Sequence, residues 1–157
     1  VSSRYQIIDE PGRARWPSLP VRAFWPLLTT MLVGAGPGWC WFVVNAFAVG
    51  SPSRRRELAW VVGGLVVLSV LAAALIVNWP LVPPGVRPYL GLGLVVPKLG
   101  IAYRLYLDQA RTEALFSYFG GTFRNGLPIL AVGWLVIGRL PLPSDGFVAL
   151  LLRLVLL

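Results

Sequence analysis

Histidine is absent from this chain, cysteine and lysine occur once each, and six carboxylates face fourteen basic residues. Each scarcity removes a class of chemistry. Without histidine, the usual zinc sites and histidine-based catalytic triads are excluded. A lone Cys40 allows no intramolecular disulfide, and its neighbours Trp39 and Trp41 suggest a buried apolar thiol rather than a reactive one. Charge is sparse as well: 13% of the residues are charged and 57% are hydrophobic, at a mean hydropathy of +0.73. Those values lie well outside soluble averages. A water-soluble chain of 157 residues could not hide so much apolar surface.

What the chain does contain is long apolar runs. Leu58 to Val77 reads "LAWVVGGLVVLSVLAAALIV", an uncharged stretch that measures about 30 Å as a helix and matches the hydrocarbon core of a bilayer. It is internal and too long for the apolar part of a secretory signal. Four membrane segments are expected, at about 23–50, 58–77, 88–107 and 127–142, with a polar arm over 1–22 at the membrane surface and a short apolar tail over 146–157. The third segment is expected to leave the bilayer near Arg104 and to run on as an interfacial helix to 118. The fourth has few uncharged residues between Arg124 and Arg139, a span of about 21 Å, so Arg139 is expected to snorkel or the bilayer to thin. The start at Val1 fits a non-ATG start codon or a trimmed chain, and the apolar end "FVALLLRLVLL" suggests a natural C-terminus further on. The arginine excess flanks the apolar runs, where anionic headgroups explain it, and no folded basic domain is left to bind nucleic acid.

The first segment poses a choice. "VGAGPGWCWF" places Gly34, Gly36, Pro37 and Gly38 in the middle of an apolar run. Either Pro37 kinks one crossing helix, or the chain turns back within the bilayer. A crossing distributes the arginines almost evenly between the two sides, whereas a re-entrant turn gathers the arm and both basic loops on one face, as the positive-inside rule favours. A re-entrant turn also leaves broken backbone at membrane depth, and on that ground the kinked span is the preferred reading.

Few side chains could carry chemistry. Arg104, Asp108 and Arg111 share a helix face, and the simplest role for Asp108 is as local ion partner of the two arginines. Lys98 lies about 15 Å inside the third segment, where a lysine is costly. With Asn45, and with Ser69 as a further lining residue, it forms a candidate intramembrane polar site. Snorkelling, or pairing with a partner's carboxylate, is the preferred account of it. Gly63, Gly64, Gly91 and Gly93 permit close helix approach. No glycine-rich phosphate loop, cofactor site or metal site is expected, and no nucleophile with its base, hence no enzyme.

The stretch "GPGWCWFVVNAFAVGSPSRRRE" (36–57), with its Gly/Pro cluster, an Asn, a Gly and a basic loop, resembles the first hairpin of small uncharacterised bacterial multi-pass inner-membrane proteins. The resemblance implies location and class and supplies no activity. The expectation is an all-α, polytopic membrane protein with about four transmembrane or membrane-embedded helices in the bacterial inner membrane. It would act as an accessory or structural subunit, as a homo-oligomer or with a membrane-complex partner, in contact with anionic headgroups. The alternative is a small-solute or ion channel or transporter organised around Lys98 and the Gly-Pro break at 34–38.

Overall fold

A computed structural model describes residues 20–139 and 146–157. Most of the expected surface arm, Asp145 and the side chain of Arg139 lie outside that description. The described part is all-α: α1 (Phe24–Leu32), α2 (Ala35–Val49), α3 (Arg54–Asn78), α4 (Arg87–Tyr118), α5 (Leu127–Arg139) and α6 (Phe147–Leu156), with a 3-10 turn at Trp79–Leu81. An isolated parallel bridge joins Val21 to Arg124.

Among the described residues two helices, Arg54–Leu81 and Tyr89–Tyr118, are long and apolar enough to cross a membrane, with mean hydropathies of 2.7 and 1.3 in their most apolar stretches. The first is rich in Leu, Val and Ala and contains no proline before the Trp79–Leu81 turn, so nothing interrupts it. The second continues through Pro97 to Tyr118 as one helix, as the sequence predicts. They pack as an antiparallel pair, joined by the proline-rich loop.

Residues 23–50 do not form one kinked helix. α1 closes when the Thr29 carbonyl accepts from the N–H groups of Val33 at 2.8 Å and Gly34 at 3.1 Å. Gly34 then takes φ +129°, open only to glycine at low cost, and the chain reverses. Pro37 is the third residue of α2. Its missing N–H falls among the first-turn donors that have no helical partner in any case, so it helps to start a helix instead of bending one. A Cβ on Gly38 would lie 2.7 Å from the Cα and N of Thr30, a sign of how tightly α2 returns against α1. Thr29 and Thr30 keep their hydroxyls satisfied on the carbonyls of Trp25 and Pro26. The result is a helical hairpin whose two outer ends meet: the Val21 N–H donates to Asn45 Oδ1 at 3.0 Å.

The hairpin lies against α3 and α4 around a core of Trp39, Phe42, Leu68, Ala102 and Leu105. Helix α6 packs on α3, and its end reaches the hairpin tip, where the Leu156 side chain touches Gly36. Cys40 is exposed, contrary to the buried thiol expected between two tryptophans. Trp39, Phe42, Asn45 and Ala46 form the packed face of α2, and Cys40 points away from it.

Space at two glycines yields the first prediction. Gly38→Val should force α1 from α2 and destabilise the protein by about 1–3 kcal/mol, the usual cost of overpacking. Gly63→Ala, with no atom within 4 Å of the added Cβ, should stabilise by about 0.5–1 kcal/mol, the gain of alanine over glycine inside a helix. Thermal unfolding of the detergent-solubilised variants distinguishes the two, and equal effects would mean that the hairpin is not closely packed.

Candidate functional site

The hairpin brings five polar side chains from three helices and a loop into one buried chain of hydrogen bonds. It begins at the Val21 N–H on Asn45 Oδ1. Asn45 Nδ2 donates to Gln109 Oε1 at 2.9 Å, and Gln109 Nε2 donates to the Phe42 carbonyl at 2.6 Å and to Glu57 Oε2 at 2.7 Å. The other oxygen of Glu57 accepts from the hydroxyls of Ser51 and Ser53, each at 2.7 Å. Glu57 is 0% exposed, and its contacts are all donors, as an acceptor-only carboxylate requires. Local sequence dictates much of this placement: α2 ends at Gly50, the Ser51 N–H closes on the Ala46 carbonyl, and the short "SPS" loop leaves both serines above the first turn of α3.

An ion pair repeats the same connection one residue along each helix. Asp108 Oδ1 lies 3.1 Å from Arg56 of α3 and 3.5 Å from Arg104 of its own helix, its side chain 1% exposed while the arginines are largely exposed. Arg56 and Glu57 of α3 therefore grip Asp108 and Gln109 of α4. A second tie holds the loop: the Ala23 N–H donates to Glu113 of α4, and the Arg124 N–H donates to the Pro20 carbonyl at 2.9 Å. Arg22, Arg54–Arg56, Arg104, Arg111 and Arg124 thus cluster at one end of the bundle, and Arg87 lies at the opposite end of the α3–α4 pair.

The residues singled out from the sequence are distributed differently from their expected grouping. Asn45 and Lys98 do not form one site. Asn45 binds Gln109, and Lys98 is eleven residues away along α4, about 16 Å by helical rise. Lys98 shares the inward face of α4 with Leu94 and Ala102, is 8% exposed, and has no ion-pair partner among the described residues. Asp108 pairs with Arg104 as expected, but its nearer partner is Arg56, and Arg111 makes no ion pair among the described residues. Gly34, Gly36, Pro37 and Gly38 form the hairpin turn described above. Sequence reasoning missed Gln109, Ser51, Ser53 and Glu57. The available signal was Gln109 itself, a neutral polar residue on the inward stripe of a helix whose neighbours on that stripe are Ala102 and Leu105.

Neither of two clefts is polar. One, of about 420 Å³, lies between the end of α3, the start of α4 and α6; a shallower groove beside α3 is lined by Arg56, Ala59, Trp60, Gly63, Gly64, Val67 and Ile101. Among the described residues no group of three or more acidic, cysteine or histidine side chains is placed to hold a metal. No family model, curated protein or solved structure matches the chain.

The second prediction concerns the buried chain. Gln109→Leu strips the partner from Asn45 Nδ2 and from Glu57 Oε2, and each buried orphan costs about 1–3 kcal/mol. The expected loss is at least about 2 kcal/mol in denaturant unfolding. Arg111→Ala, at an exposed position, should stay within about 0.5 kcal/mol. Similar stabilities for the two variants would mean that the polar chain does not hold the helices.

Proposed function

We propose that this protein is a multi-pass protein of the bacterial inner membrane and acts there as an accessory or structural subunit through helix packing. In this reading α3, α4 and α5 cross, the α1–α2 hairpin dips in and returns, and α6 enters partway. The observation that carries it is an inverted distribution of side chains. Glu57, Gln109, Asn45 and Asp108 are buried, while α3 exposes Trp60, Val66, Val70 and Val77, and α4 exposes Leu92 and Val96. Water would reverse that order, and a hydrocarbon solvent accounts for it.

Support for a partner-binding role comes from the outer surface. Gly93 and Gly100, seven residues apart on one exposed face of α4, have no atom within 4 Å of the position a Cβ would take. They leave notches that another helix can enter closely. Inside the bundle, the polar chain is occupied by its own partners, which argues against a solute path along it. Orientation follows from charge: the arginine-rich end is cytoplasmic and the Arg87 end faces the other side. Lys98, buried without an ion partner among the described residues, favours the second reading, a channel or transporter.

Single cysteines placed in a Cys40→Ala background test the topology. With a membrane-impermeant maleimide, Arg22→Cys and Arg55→Cys should react from the same side and Pro84→Cys from the other. Labelling of positions 22 and 55 from opposite sides would overturn the re-entrant hairpin. Gly100→Leu should leave the protein folded in the membrane but abolish its cross-linking to a partner or to a second copy. Loss of ion or solute flux in liposomes on Lys98→Met, with assembly intact, would instead support the transporter.

A further inference from the structure

We propose that the cleft between the end of α3, the start of α4 and α6 binds an acyl chain of an anionic phospholipid, with Arg87 on its headgroup phosphate. Its walls are Leu75 and Ile76 of α3, Gly91 of α4, and Leu150 and Leu154 of α6; Trp79 and Arg87 stand with them. At about 420 Å³, it falls within the range of about 300–1,000 Å³ typical of small-ligand sites. The space exists because Gly91 has no side chain to fill it: nothing lies within 4 Å of where its Cβ would be.

Three features select the occupant. The walls are apolar, and two of the three helices that form them are the pair long enough to cross a bilayer, so a lipid tail is the solute at hand. Arg87 belongs to the proline-rich end of that pair, as does Trp79, a residue type that favours the headgroup level. The Arg87 guanidinium has no carboxylate within ion-pair distance among the described residues. It lies 5.3 Å over the Trp79 ring, and its Nε donates to the Val82 carbonyl at 3.3 Å. Stacking and that single bond hold the plane of the group and leave its terminal N–H groups for a phosphate. A zwitterionic headgroup would bring its own cation towards the guanidinium, whereas a net negative one would not.

This assignment rests on the membrane reading above. Native mass spectrometry of the full chain released from detergent, after incubation with dioleoyl phosphatidylglycerol or dioleoyl phosphatidylcholine, tests it. The wild type should retain one phosphatidylglycerol in preference to phosphatidylcholine. Arg87→Gln should weaken retention about fivefold, the effect of one basic residue at an anionic surface, and Arg87→Lys should restore most of it. Gly91→Leu, and independently Leu150→Trp from the opposite wall, should abolish it with helical content unchanged by circular dichroism. Equal retention of both lipids, or retention unaffected when the cleft is filled, would overturn the assignment. Fractionation of the wild type as a soluble protein without detergent would overturn the membrane reading itself, and the two failures are therefore distinguishable.

Discussion

The side chain of Gln109 is where the packing of this protein is decided. Its amide offers donors on one atom and an acceptor on the other, and both atoms are used: Oε1 accepts from Asn45 of α2, and Nε2 donates to the Phe42 carbonyl and to the buried carboxylate of Glu57 on α3. Helices that are apolar nearly all round slide and rotate against one another at small cost, because any apolar face packs against any other. Directional bonds among buried polar groups remove that freedom, since a shifted register would leave each of them without a partner. Three helices and the segment entering the hairpin are thus set to one level.

The hairpin tip depends on the opposite quality, which is lack of bulk. Gly34 allows the reversal, Gly38 the close return, and Pro37 begins α2 where its missing N–H does no harm. The exposed ends of short helices at such a turn need cover, and the end of α6 supplies it at Gly34 and Gly36. A polar lock at one level and a glycine-rich turn some 16 Å away from it account for how a chain segment of this length is held folded back on itself.

The two ends of the α3–α4 pair are chemically unlike. One collects arginines around the Asp108 and Glu57 contacts, and these fasten α3 to α4 and to the loop that precedes α3. The other carries Arg87 next to Trp79 above an apolar cleft. At the first, Asp108 and Glu57 meet partners within the fold, and at the second the Arg87 guanidinium has no ion partner among the described residues. Between them, the outer surface of α3 and α4 is apolar and notched by glycines, which allows close approach of another helix.

Much of this was legible in the residues. Apolar runs and their flanking arginines located the long helices, and the continuous α4 with its proline-tolerant start followed from its pattern. The choice between a kink and a turn at 34–38 was not legible, because Gly and Pro permit both and only the close fit of Thr30 on Gly38 and of Asn45 on Val21 selects one. Nor was the polar chain, since Ser51, Glu57 and Gln109 are separated by loops and whole helices. Composition by itself determined the class of protein, all-α and rich in bilayer-length apolar helix, because solvent preference and helical rise act locally along the chain. Which polar groups meet, and therefore where the hairpin folds back and where Arg87 is left without an ion partner among the described residues, only the tertiary structure decided, because hydrogen bonds depend on distances that no local pattern encodes.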